Sequence, residues 1–385
     1  MTRNATWLIR LDADGDGPRV AVKDCIDVVG TPTTVGCAAV ARDAKSARFD
    51  APVVHHARQQ GARIVGKTNL VELCRHADGL NLWTGTPLNP LDPDCIPGGS
   101  SSGSAVAVAT NEADVAYGTD TGGSVRVPAA CCGIAGLKTT AGRLSTQGVF
   151  EFSRTLDTVG PLARDVAGLA TGMGLMEPGF RPAERVDVTT VARLRFARTD
   201  QVVDDAVDEA LDEAQIRTTD VWIPEWEDWI EAANDLMMAE GHAAHRHLLD
   251  QADGLEERHI EGIEKGGAIT AAHVVACRRL QVTAQLRLRS LLVHYDVLAL
   301  PTLLTLPPRI GEAVPTTYLT VPLNFAGVPA VAVPLRRPGG LPASLQLVGG
   351  WYEEERLLGF AALVESRVAT DADRSQPVPR ATQLE

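Results

Sequence analysis

The chain has 385 residues, 45% of them hydrophobic, and a formal net charge of −13. That is enough apolar material for one large core or two ordinary ones, and the negative balance argues against nucleic acid, whose binding needs clustered Lys and Arg to neutralise phosphates. The longest apolar runs, 297–301 and 328–335, fall far short of the roughly 20 residues of a bilayer span, so no membrane association is expected. The opening MTRNATWLIRLDADGDG has no apolar segment leading to a small-residue cleavage site, and the expected location is the cytoplasm. The seven cysteines (25, 37, 74, 95, 131, 132, 277) are odd in number and lack CxxC spacing, which predicts reduced, mostly buried thiols.

Taken in chain order, RVAVKD (19–24) alternates and is rich in valine, the pattern of a strand ending at Lys23 or Asp24. Residues 51–61 have helical spacing, with Pro52 near the start and Gly61 just past the end, and the short strand ARIV follows. The stretch IPGGSSSGS (96–104) has the composition of a flexible linker. It nevertheless lies between regular elements: a small-residue helix is predicted at 104–110, a strand running into a turn at 114–120, and a helical or irregular segment from 125. From about 164 to 292 helical patterns dominate, notably 204–214, 229–249 and 270–292. Strand-like runs return at 297–301, 328–335 and 343–349, and a last helix is expected near 353–368. This order predicts an α/β fold: one large domain (1–385) whose mixed central sheet is covered on both sides by helices.

Several motif matches lack their structural context. Residues 61–68 fit GxxxxGK[ST] letter for letter, but a phosphate loop follows a strand, and here a helix precedes Gly61. Residues 12–17 copy half of a calcium loop, yet the closing position is Lys23, a cation where a bidentate Glu belongs. GxSxG at 99–103 would make Ser101 a nucleophile, but the proline-rich 89–97 precedes it instead of a buried strand. His242, His245 and His247 could ligate a metal, although one polar helix face accounts for them.

The block YGTDTGGSVRVPAACCGIAGLK (117–138) reads differently. A strand delivers it, Thr121-Gly122-Gly123-Ser124 can present consecutive N–H groups, and an apolar segment follows; a nest of amides of this kind suits an oxyanion hole with Ser124 as nucleophile. No histidine lies in a comparable setting to serve as base. Lys23, at the end of a buried strand, is the alternative, provided it is neutral: at an ordinary pKa near 10.4 only about one lysine in 2,500 is neutral at pH 7. Burial behind Val20-Ala21-Val22 would supply the lowering required.

These residues resemble the amidase signature hydrolases. Residues 20–36 look like that family's lysine segment, 61–72 like its GKTN segment, and 97–109 with 118–145 like its serine- and glycine-rich signature. The likeness continues through 153–166 and into the tail segments 324–335 and 340–349. It implies a signature core at 20–175, a helical substrate-selecting region at 176–294 and C-terminal strands at 295–368 that return to the sheet. It also implies a Ser–Ser–Lys triad in which Ser124 is the nucleophile, Ser100 the proton bridge and Lys23 the general base, with a cis peptide at Gly99–Ser100. The oxyanion would be held by the N–H groups of Thr121, Gly122, Gly123 and Ser124. Arg126 and Asp157 are expected to orient the signature loops as an ion pair, and Ser101, Ser102 and Ser104 to hold the loop and cap the following helix. Lys67 in GKTN is expected to be structural.

The activity so implied is hydrolysis of a carboxamide to an acid and ammonia or an amine, by way of acyl-Ser124. The alternatives are an amide-transferring subunit resembling the glutaminase part of transfer-RNA amidotransferases, disfavoured by the acidic composition and short chain, or a silent binding protein. A small amide is the expected partner, a homodimer the assembly considered, and neither cofactor nor metal is required. Family members usually carry tens more residues before the lysine, so part of the site's rim is expected to differ. Substrate choice falls to about 175–320, with Trp222, Trp226, Trp229 and Tyr318, although core packing is the stronger reading of the tryptophans. Val127 adds no positive charge near Ser124, which points to a neutral or partly apolar primary amide.

Overall fold

The computed structural model describes residues 5–13, 15–184, 186–335 and 340–368; Asp14, in the calcium-like turn, lies outside them. In chain order the strands are β1 (Trp7–Arg10), β2 (Arg19–Lys23), β3 (Arg63–Thr68), β4 (Val115–Asp120), β5 (Ala135–Lys138), β6 (Thr158–Ala163), β7 (Val191–Leu194), β8 (Thr218–Val221), β9 (Val297–Pro301), β10 (Ala330–Leu335) and β11 (Ala343–Val348). The helices are α1 (Ala38–Asp43), α2 (Pro52–Gln59), α3 (Ser102–Ala109), α4 (Arg126–Cys132), α5 (Val166–Met176), α6 (Gln201–Glu213), α7 (Trp226–His245), α8 (Glu257–Gly267), α9 (Ala271–His294), α10 (Val321–Ala326) and α11 (Glu354–Val368).

The strands join in one sheet, in the order β1-β3-β2-β4-β6-β5-β10-β11-β9-β7-β8. Strands β3, β2 and β4 run parallel, as do β9, β7 and β8, while the centre from β4 to β9 pairs antiparallel. The sheet is therefore mixed, as the sequence predicts. Successive strand side chains point to opposite faces, and the core divides accordingly. Val20 and Val22 join one cluster with residues of α2, α5 and α11, whereas Ala21 between them joins another with the small residues of α3. Small residues in α3, 102–109, let it lie close on the sheet, and every one of them is buried.

The stretch 176–294 is not purely helical: β7 and β8 lie in it and extend the sheet beyond β9. Each has four residues, and β8 is mostly exposed, too short for a period-two signal to stand out against the flanking helices. Strand β1, on the opposite edge, is equally short.

Candidate active site

Strands β2 and β4 pair in parallel register, Val22 opposite Tyr117, so their C-terminal ends open on the same side. Lys23 closes β2, and its buried Nζ donates to Ser100 Oγ at 2.7 Å and to Thr119 Oγ1 at 2.7 Å. Both partners are hydroxyls, and no carboxylate pairs with Lys23 among the described residues. No sequence pattern singles out Thr119; only the register of β4 against β2 places it there. Beside it, Cys25 Sγ lies 3.6 Å from Thr119 Oγ1, and burial pushes that thiol well up, which favours its protonated form.

The Gly/Ser stretch is built into the core. The Gly99–Ser100 peptide is cis. Gly98 has φ +69°, and a Cβ there would stand 2.8 Å from Pro128 Cα, so the chain needs glycine at this position on both conformational and steric grounds. Ser100 C=O accepts from Val71 N–H at 3.1 Å, and Ser101 N–H donates to Ser124 C=O at 3.3 Å, tying the two serine loops together. Ser101 Oγ donates to Thr119 C=O at 3.3 Å rather than capping α3, and Ser104 Oγ contacts Thr68 Oγ1 at 2.8 Å. Ser101 is thus a loop anchor, away from the nucleophile role that GxSxG suggested.

Ser124 is 8% exposed where Ser100 is fully buried, so of the two hydroxyls it is the one a small molecule can reach. Of the four N–H groups expected around an oxyanion, Gly123 is already engaged: its N–H donates to Asp120 Oδ1 at 2.8 Å. Its φ of +137° and the crowding of a would-be Cβ against Thr320 explain why glycine stands there. That leaves three of the four expected donors, on Thr121, Gly122 and Ser124.

The expected Arg126–Asp157 ion pair does not form. Arg126 instead clasps Asp120, through Nη2 to Oδ1 at 2.9 Å and Nε to Oδ2 at 3.0 Å, both side chains wholly buried. Asp120 also accepts from Val125 N–H and Asn324 Nδ2, and Arg126 reaches Gln346 Oε1 at 2.7 Å. Burial alone would raise the Asp120 carboxyl, but Arg126, with Lys138 and Asn324, holds it well below the usual range. Asn324 and Gln346 come from α10 and β11, so the late segments lock the signature loop. Asp157 accepts from Thr121 Oγ1 at 2.6 Å and from the N–H groups of Phe152 and Ser153. With no cation beside it, burial pushes it up to about 7 against the lowering effect of those donors.

The other sequence matches have structural roles. Lys67 of the GKT sequence is buried, pairs ionically with Asp24 Oδ1 and donates to Pro32 C=O and Thr33 Oγ1, each at 2.8 Å. His242 and His245 bond the carbonyls of Ile263 and Glu151, while His247 is exposed, so the three do not converge. Trp226 and Trp229 are core residues, whereas Trp222 is largely exposed. All seven cysteines are free and buried.

The mixed sheet thus carries this lysine–serine arrangement at its strand ends. The family model Amidase matches residues 17–179 and 184–358, and the chain belongs to that family. Among curated proteins, it is 32% identical to the A subunit of glutamyl-tRNA(Gln) amidotransferase from Halobacterium salinarum, over 92% of this chain and 96% of that one. The same-named protein of Symbiobacterium thermophilum is 34% identical, over 90% of this chain and 81% of its own. Among solved structures, an amidase superposes with a TM-score of 0.85 at 29% identity, covering 91% of this chain and 85% of the other. The A subunit of glutamyl-tRNA(Gln) amidotransferase from Thermotoga maritima gives 0.84 at 25% identity, covering 96% and 89%.

Proposed function

We propose that the protein cleaves the C–N bond of a primary carboxamide through an acyl-Ser124 intermediate and releases ammonia in the manner of its amidotransferase relatives. The observation that carries the chemistry is the buried Lys23 Nζ, 2.7 Å from Ser100 Oγ and without a carboxylate partner among the described residues. Lys23 is the base in this mechanism: it draws the Ser100 proton while Ser100 draws that of Ser124, whose oxygen attacks the carbonyl. Charge on the carbonyl oxygen is met by the N–H groups of Thr121, Gly122 and Ser124. The relay then returns the proton to the leaving nitrogen as the C–N bond breaks, and water or another acceptor takes the acyl group by the reverse path.

The curated relatives favour the amidotransferase reading over a free-standing hydrolase. Chain length does not count against it, since the match spans 96% of the Halobacterium protein. A protein partner follows from this reading, as does glutamine as a donor. The superposition on an amidase keeps simple hydrolysis as the second reading. Ammonia release from glutamine and from a panel of small primary amides separates the two: turnover of glutamine supports the amidotransferase, whereas turnover of a simple amide with glutamine untouched supports the hydrolase. Covalent labelling of the folded protein by a fluorophosphonate tests the chemistry common to both; an unlabelled Ser124 would refute it.

A further inference from the structure

The turn Glu72–Cys74 meets the start of α8, and their contact contains a buried histidine. His259 is fully buried, and neither Nδ1 nor Nε2 finds a partner among the described residues. Orphaned buried polar atoms are uncommon enough in folded proteins to need a cause. Nε2 stands 3.6 Å from Glu72 Oε2 and 3.7 Å from Glu256 Oε2, and all three side chains are nearly excluded from solvent. Those separations exceed hydrogen-bond reach. They match instead the edge of a tetrahedron: donor atoms about 2.0–2.2 Å from one zinc ion lie about 3.3–3.6 Å from each other.

We propose that Glu72, Glu256 and His259 form a divalent metal site suited to zinc. The three ligand atoms lie within 4.8 Å of one another. Glu256 is the residue that precedes α8, with extended backbone, and His259 lies in the helix's first turn three residues on, so the entry into α8 brings both side chains to one place. Glu72 comes from the other side of the contact, 184 residues from Glu256 in sequence. The carboxylates are already oriented by neighbours: Glu256 N–H donates to Glu72 Oε2 at 2.9 Å, Leu82 N–H to Glu256 Oε1 at 2.8 Å, and Arg258 Nε to Glu256 Oε2 at 2.8 Å. Such outer bonds fix metal-binding carboxylates in place. Arg258 opposes a cation, but it is also paired with Asp78 at 2.5 Å. Two carboxylates, Glu72 and Glu256, face His259 directly, with the guanidiniums of Arg258 and Arg75 nearby.

The ion's role would be structural. It would tie α8, in the helical region, to the turn that follows Val71, whose N–H holds the Ser100 carbonyl at 3.1 Å. A second cluster, Asp235, His273 and Cys277, competes as an explanation of any bound metal. There His273 is exposed, and its Nε2 already contacts Asp235 Oδ2 at 2.7 Å.

The test uses the full chain, stripped with a chelator and titrated with zinc chloride by calorimetry, followed by X-ray absorption of the zinc-loaded wild type. Saturable binding of one ion, with a nitrogen and oxygen shell and no sulfur, is expected. His259→Gln and Glu72→Gln should weaken binding by roughly 100-fold or more, with Asp235→Asn unchanged. Absence of saturable binding would overturn the proposal, as would a sulfur neighbour at about 2.3 Å, the mark of Cys277. The wild-type spectrum decides the matter even if a variant fails to fold.

Discussion

Two lysines on adjacent strands, both fully buried, are given different kinds of partner. Lys67 on β3 meets the Asp24 carboxylate, a carbonyl and a hydroxyl, and Lys23 on β2 meets two hydroxyls. A buried ammonium without a counter-charge is costly, whereas a paired one is tolerated. Lys67 thus has an ionic partner that braces the fold, whereas Lys23 has hydroxyl partners and no carboxylate among the described residues. The phosphate-loop match at 61–68 and the proposed catalytic lysine thus belong to one contrast, in which the partner and not the depth of burial decides the role.

The largest effects should fall on the Lys23 side. Ser124→Ala and Lys23→Ala are each expected to lower amide turnover by roughly 10⁴-fold or more, since residues that act as one unit fail together. Ser100→Ala should be less severe between pH 7 and 9, because water can stand in for a hydroxyl bridge. Steady-state ammonia release checks all three, and a Lys23→Ala enzyme as active as wild type would remove the lysine from the mechanism.

Stability should respond in the reverse sense. Lys67→Met leaves Asp24 as an unpaired buried carboxylate and should cost about 3–5 kcal/mol. Lys23→Met leaves only two hydroxyls short of a partner, a cost of about 1–3 kcal/mol. Urea unfolding of the two variants gives the difference directly, and equal losses would break the comparison. Thr119→Val is a finer probe: it removes one of the two hydroxyls on Lys23 while keeping the side chain's shape. A drop of roughly tenfold in kcat, with KM little changed, is expected if Thr119 positions the amine.

Much of this site is legible in the sequence because its chemistry is carried by local segments. AVKD, GGSSSG and TGGSVR each fix a backbone path, and the sheet needs only to bring them together. What escapes is whatever depends on strand register or on distant segments. Thr119 becomes a partner of Lys23 only through the β2–β4 pairing, and Asn324 and Gln346 reach Arg126 from 198 and 220 residues away. The true partner of Arg126 escapes for a related reason: Asp120 sits six residues back across a glycine turn, a spacing with no helical or strand rule to mark it. Strands β7 and β8 are hidden for lack of length.

Asp157 tests the contrast on a group of opposite charge. It is buried like Asp24, but its partners are a hydroxyl and two amide N–H groups, with no cation. Burial accordingly raises its carboxyl from the ordinary 3.8 to about 7, against those donors. A folded value above the unfolded one means that the folded state binds the proton more tightly. Its contribution to stability is therefore full below about pH 4 and is lost as pH rises to about 7. Asp157→Asn cannot ionise, so relative to wild type it should gain stability across that window, on the order of 4 kcal/mol, and no more above it. Thermal melts of both proteins from pH 4 to 8 measure the gap. A constant gap would mean that three donors alone hold Asp157 as an anion, and that a buried charge here needs no counter-ion.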